Sequence, residues 1–151
     1  MRALIQRVKS GSVEVDNQII SKINQGIVLL IGIEDSDDFD DIDWICKKVS
    51  QLRIFDDQGK VMNKSLVDID GEILIISQFT LHAMTKKGNR PSYIRAAKSD
   101  YAKKVYDQFL ALMENKLNKK PHAGVFGADM LVRIENDGPV TILIDSKNRS
   151  F

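Results

Sequence analysis

The chain has 151 residues, 43% of them hydrophobic and 28% charged, with a net charge of +1; these are ordinary globular values and exclude a disordered, collagenous or coiled-coil chain. One domain over residues 1–151 is expected, burying roughly 68–70% of the surface the unfolded chain exposes, so the core needs neither staples nor metal. No apolar run nears the roughly 18 residues of a membrane span, the N-terminus alternates and lacks the apolar stretch of a signal peptide, and the single Cys46 excludes a disulfide framework or Cys-based zinc cluster; a cytoplasmic protein is expected.

Charge is uneven along the chain. Glu34 to Asp43 holds seven acids in ten residues, which reads as a helix start, where carboxylates favour the positive end of the dipole. Lys86 to Lys120 holds ten basic residues and three acids. Such a span either forms a solvated helix face or steers a polyanion.

In chain order, Leu4 to Val15 reads as a strand. Gln18 to Ile23 and Gly26 to Ile33 are two more, joined by a turn at Asn24-Gln25. Gly26 to Ile33 is apolar throughout, as a strand buried on both faces would be. Ser36 is the expected N-cap of a helix whose apolar positions are Phe39, Ile42, Ile45, Cys46, Val49 and Leu52. Cys46 on that stripe reads as packing. Arg53 to Phe55 is a short strand candidate, followed by a turn at Asp57-Gln58-Gly59. Asp70-Gly71 opens the buried strand Ile73 to Ile76, which runs into Ser77-Gln78-Phe79-Thr80. Lys86 to Ser92 is polar loop. Ser99 is the expected cap of a long helix with an inward stripe of Ala102, Val105, Tyr106, Phe109, Leu112, Met113 and Leu117, ended by Pro121. Met130 to Glu135 and Val140 to Ile144 are the last strands, with a connection at Asn136-Asp137-Gly138-Pro139. The expected fold class is mixed α/β (α+β), with mostly antiparallel strands in a barrel-like core and two main helices.

Nucleotide-loop motifs are absent, and the two histidines, His82 and His122, are 40 residues apart. His82 could not easily turn back onto Ser77 from the same strand end, so a triad base is missing. Three segments carry chemistry instead. Ser77-Gln78-Phe79-Thr80 ends a buried strand, where hydroxyls, an amide and backbone N–H groups emerge together; these either form an oxyanion site or satisfy the strand end. Gly124-Val125-Phe126-Gly127-Ala128-Asp129-Met130 flanks an aromatic ring with glycines, either to present Phe126 to a base or to make a bend. Asp137-Gly138-Pro139 reads as a turn.

These segments, together with Met1-Arg2-Ala3-Leu4-Ile5-Gln6-Arg7-Val8, Leu52-Arg53-Ile54-Phe55, Lys60-Val61-Met62-Asn63-Lys64-Ser65, Lys87-Gly88-Asn89-Arg90-Pro91-Ser92 and Asn136-Asp137-Gly138-Pro139-Val140-Thr141, make the chain closely resemble the D-aminoacyl-tRNA deacylases over its whole length. His82 and Tyr93 stand where that family commonly has an aromatic ring. The resemblance implies a homodimer that hydrolyses the ester between a D-amino acid and tRNA, and removes glycine from the wrong tRNA, with neither cofactor nor metal. Ser77, Gln78, Phe79 and Thr80 would be the catalytic segment. Gly138-Pro139 would be a cis bond reaching into the partner subunit's site, where its carbonyl oxygens hold the substrate ammonium and exclude L-amino acids. Phe126 would stack on the terminal adenine, and Lys86, Lys87 and Arg90 would follow tRNA phosphates. Two readings from other classes stand beside this: an RNA-binding module without catalysis, and a structural or metabolic protein with an ordinary trans turn at Gly138-Pro139.

Overall fold

The computed structural model describes residues 1–150; Phe151, the last residue of the expected domain, lies outside them. The elements are β1 (Arg2–Val15), β2 (Gln18–Ile23), β3 (Gly26–Gly32), α1 (Phe39–Gln51), β4 (Phe55–Asp56), β5 (Met62–Lys64), β6 (Glu72–Ser77), a 3-10 turn (Phe79–His82), α2 (Ser99–Leu117), β7 (His122–Ala123) and β8 (Leu131–Asp145). No helix is long and apolar enough to cross a membrane among the described residues.

The main sheet runs β2-β1-β3-β6-β7, with β8 on the far edge of β1. The β1 to β2 turn uses Asp16 and Asn17 at φ 50° and 63°, the left-handed pair that suits a tight hairpin. β1 pairs antiparallel with β2, β3 and β8, whereas β3–β6 and β6–β7 are parallel. Parallel neighbours need long crossovers; α1 lies in the first and α2 in the second. The sheet curls until Ser21 Oγ on β2 donates to Ala123 O on β7 at 2.8 Å, so the barrel-like form is nearly closed.

Two apolar cores explain the unbroken run of β3. Ile27, Leu29 and Ile31, with Ile73 and Ile75 of β6, pack under the helices against Ile45, Val49, Tyr106 and Phe109. Val28, Leu74 and Ile76 point into the barrel with Val8, Val13 and Ile23. Cys46 belongs to the first core, and burial pushes its thiol up to about 12, so it packs and does not react.

Several local expectations are corrected. The N-cap of α1 is Asp38, not Ser36: Asp38 Oδ1 accepts from Asp40 N at 3.0 Å and Asp41 N at 3.2 Å, and Asp41 Oδ2 accepts from Asp38 N at 3.0 Å. This reciprocal box satisfies donors that a lone serine two residues earlier cannot reach. Ser99 is the first residue of α2 and Lys98 its cap, with no side-chain cap bond. The helix stops at Asn118 in left-handed conformation (φ 51°), ahead of Pro121, because asparagine tolerates that geometry. The short strand starts at Phe55 instead of Arg53 and pairs with β5, around a turn in which Asp57 Oδ1 accepts from Gly59 N.

The last two expected strands are one. Both halves of β8 pair antiparallel with β1, Asn136 opposite Val8 and Thr141 opposite Gln6. Asp137 to Val140 therefore oppose only Arg7, so the segment bulges out of a continuous strand and does not reverse it.

The cap assignment predicts that Asp38→Ala destabilises the fold by about 1 kcal/mol, whereas Ser36→Ala changes it by no more than a few tenths. Urea unfolding of the two variants beside the parent checks this; equal losses would mean the capping box does not hold the helix start.

Candidate active site

β3 and β6 end side by side, Ile31 opposite Ser77. In open parallel sheets the carboxyl ends of the strands are where ladders stop and ligands bind. The last rung here is Gln78 N donating to Ile31 O at 2.7 Å. The chain then tightens into the 3-10 turn, in which Leu81 N donates to Gln78 O at 3.3 Å and Ala83 N to Thr80 O at 3.0 Å. The N–H groups of Phe79 and Thr80 have no hydrogen-bond acceptor among the described residues. Gln78 Nε2 donates to Thr80 Oγ1 at 2.5 Å, so the amide and hydroxyl form one unit beside those donors.

This turn forms one wall of a cavity of about 570 Å³. Ser77, Gln78 and Phe79 line it from β6 and the turn, Ala96 and Ala97 from the approach to α2, Ala102 from α2 itself, and Phe126 to Met130 from the segment before β8. Phe126 leans on Tyr106 of α2, ring centroids 5.6 Å apart. Phe79 is 57% exposed and meets Tyr93 edge-on at 5.0 Å. Among the lining residues only Asp129 is charged. The site is thus an apolar slot with backbone donors at one end and aromatic rings at its mouth. Around Phe126 the chain turns, and the residue lines the cavity.

Of the residues expected from the sequence, Ser77, Gln78, Phe79 and Phe126 line the cavity, and Thr80 joins them through Gln78. Lys86, Lys87 and Arg90 lie on an exposed loop closed by the paired backbones of Met84 and Ser92. The loop leads straight to Tyr93 at the cavity wall. None of the three makes an ion pair among the described residues, unlike Lys103, Lys116 and Lys119, which are held by Asp107, Asp43 and Asp70.

Gly138 and Pro139 do not line the cavity of their own chain. Their peptide bond is cis, Gly138 has φ +118°, and both residues are exposed on the β8 bulge. The bulge is held from beneath by Arg7, which sequence reasoning did not single out. Its guanidinium, on a residue 7% exposed, donates to Ile54 O at 2.7 Å and Asp137 O at 3.3 Å and pairs with the carboxylates of Asp56 and Asp137. An arginine in line with the buried Ala3 and Ile5 on the inward face of β1 was the available signal. Tyr93, Ala96 and Ala97 were also not singled out as lining; small residues just before a helix carry no signal until the helix is placed over the cavity.

Comparison with known proteins agrees with this geometry. A family model described as D-Tyr-tRNA(Tyr) deacylase matches residues 4–145. The D-aminoacyl-tRNA deacylase of Flavobacterium psychrophilum is 54% identical over 149 residues, 99% of each chain, and that of Bacteroides fragilis is 55% identical over the same length and coverage. A solved structure described as the c-Myc DNA Unwinding Element Binding Protein superposes with a TM-score of 0.91 at 39% identity, covering 96% of this chain and 98% of that one. A match of this extent in both sequence and fold settles membership: the chain belongs to the D-Tyr-tRNA(Tyr) deacylase family of hydrolases.

Proposed function

We propose that this chain hydrolyses the ester joining a D-amino acid, or misplaced glycine, to tRNA, acting as a homodimer in the cytoplasm. The observation that carries the reading is the pair of N–H groups without an acceptor at Phe79 and Thr80, on a segment whose Ser77, Gln78 and Phe79 line an apolar cavity. Donors fixed beside low-dielectric walls stabilise the oxyanion that forms when water adds to an ester carbonyl, each being worth about 10²–10³-fold. An aminoacyl ester is already reactive, so this and the vicinal ribose hydroxyl are sufficient without a histidine base. Thr80, bonded to the Gln78 amide, orients water or substrate; no base is placed to make it a nucleophile.

Recognition divides by chemistry. Phe126 stacks on the terminal adenine, and Lys86, Lys87 and Arg90 follow the acceptor phosphates. The Gly138-Pro139 bulge of one protomer enters the cavity of its partner. Two features support this: the bulge is exposed, and it lies outside its own chain's cavity. Its carbonyl oxygens hold the substrate ammonium and leave no room for an L side chain. Such a site reads the groups all D-residues share, so it needs no shaped side-chain pocket.

The deciding experiment measures ester hydrolysis on matched D- and L-tyrosyl-tRNA. Rapid release of D-tyrosine with L-tyrosyl-tRNA spared is expected. Binding of tRNA without release of D-tyrosine would favour the RNA-binding module without catalysis that the sequence also allowed.

In the same assay Thr80→Ala lowers kcat by about tenfold or less, and Gln78→Ala lowers it at least as much, because the amide holds the hydroxyl. An acyl-enzyme trapped on Thr80 would overturn the water mechanism.

Replacing Lys86, Lys87 and Arg90 together by alanine weakens binding to all tRNAs alike and flattens the log–log salt slope by roughly 0.7 per lost phosphate contact. The D-over-L ratio stays as it was. An unchanged slope would move the phosphate path to other lysines, and a changed ratio would mean the loop shapes the pocket.

A further inference from the structure

His82 underlies the 3-10 turn. The residue is 1% exposed, and neither ring nitrogen has a hydrogen-bond partner. Buried polar groups are nearly always paired, and these two nitrogens are the unpaired buried side-chain atoms found among the described residues. The ring lies on β3 at Gly32. A Cβ there would come 3.0 Å from the His82 ring, 2.9 Å from Leu81 Cβ and 3.1 Å from Gln78 O. The turn therefore rests directly on the strand, with the imidazole between them. On its other side Arg2 Nη1 donates to Leu81 O at 2.9 Å.

A neutral imidazole is tolerated in such a place, but an imidazolium has two donors and a charge to satisfy. The charged groups facing it are Glu34, just beyond β3, Arg2 of β1 and the Met1 ammonium. All are engaged elsewhere. Glu34 pairs with Arg95 at 3.2 Å, Arg2 with Asp145 at 2.9 Å, and Met1 with Asp37 and with Ser146 Oγ at 2.8 Å. Burial, first, pushes the His82 pKa below its ordinary value. The nearby Gly32 backbone, off hydrogen-bond geometry, and Glu34 oppose this, while Arg2 and the Met1 ammonium reinforce it.

We propose that His82 is a positioning residue for the Phe79 and Thr80 donors: its neutral ring wedges the turn against Gly32, and taking up a proton displaces the turn and switches the site off. The proposal rests on those donors being the oxyanion site. The ring is absent from the cavity lining, so it moves no proton in the reaction. The sign follows from linkage. The folded pKa lies below the unfolded value of about 6.5, so on acidification the unfolded chain binds the proton first. The contribution to stability is intact above that value and is lost as pH falls through the window beneath it.

The test compares wild type with His82→Phe and His82→Leu on D-tyrosyl-tRNA from pH 8 to pH 5.5. Dividing variant by wild-type kcat at each pH cancels the intrinsic pH dependence of ester hydrolysis. For His82→Phe, which keeps a neutral ring, the expected ratio is within about twofold of one at pH 8 and rises as pH falls below the unfolded histidine value of about 6.5, with the KM ratio flat. Wild-type Tm should also fall more on acidification than that of the variants. A His82→Phe kcat ratio independent of pH, or a tenfold loss at pH 8 in folded His82→Phe, overturns the proposal. His82→Leu, which removes the ring, is expected to lower kcat already at pH 8; a folded leucine variant as active as wild type there would mean that the ring does not wedge the turn. Wild type that hydrolyses no D-tyrosyl-tRNA would sink the deacylase reading instead; a Tm difference independent of pH would then still overturn the wedge.

Discussion

The parallel pairing of β3 with β6 is the constraint on which the rest of the structure depends. Both strands are covered on both faces, by helices on one side and the barrel interior on the other. At the start of the pair the backbones are so close that a Cβ on Gly26 would lie 1.8 Å from Glu72 O. A side chain there would force the strands apart or out of register, and a one-residue slip would exchange Ile73 and Ile75 with Leu74 and Ile76 between the two cores. At the other end Ile31 and Ser77 stop together. The ladder ends while the apolar walls continue, and this leaves N–H groups beside a low-dielectric cavity. The site's position is thus a consequence of sheet order before it is a consequence of any motif.

Arg7 plays the corresponding part for the exposed bulge. A buried guanidinium is costly unless its donors are satisfied, and here they reach Ile54 O, Asp137 O and the carboxylates of Asp56 and Asp137. One side chain on β1 thereby joins the approach to β4 and the bulge of β8. Gly138 is required on two counts: its φ of +118°, and a Cβ that would come 3.1 Å from Arg7 Nη2 and 2.9 Å from Val140 Cγ2. The protrusion grows from a strand paired on both sides of it, which makes it stiffer than a hairpin tip. The discrimination by exclusion proposed above would need that stiffness, because a soft wall yields to the wrong substrate.

What was legible in the sequence follows from this arrangement. Periodicity exposed β1 and both helices, because each buries a face whose spacing is set by its own geometry, whereas β3 and β6 were legible as unbroken apolar runs because both of their faces are covered. Ser77 to Thr80 was legible because a buried apolar strand ran straight into polar residues. Phe126 was legible from its flanking glycines. The caps were missed at Ser36 and Ser99 because residue type alone does not say which of several acceptors reaches the first turn. The β8 bulge was misread because Asn-Asp-Gly-Pro has the composition of a hairpin turn; only the pairing of both halves with β1 distinguishes the two. The parallel order of β3, β6 and β7 and the burial of Arg7 are long-range facts that no local pattern carries.

Catalysis by backbone donors sets its own demand on the surroundings. A tenfold effect is about 1.4 kcal/mol, so a donor worth 10²–10³-fold loses most of its value if it drifts by a fraction of an ångström. Three contacts hold the turn: Gln78 N to Ile31 O, Arg2 Nη1 to Leu81 O, and the His82 ring against Gly32. None of these groups reacts. The Thr80 hydroxyl accepts from Gln78 and keeps its own O–H free to direct toward water or substrate. Side-chain chemistry in this reading is concentrated in holding the main chain still, and the cavity lining is accordingly mostly apolar, with Asp129 its one charged residue and the basic residues outside it. A cation inside the slot would compete with a substrate ammonium; on the exposed loop after the turn Lys86, Lys87 and Arg90 stay clear of it.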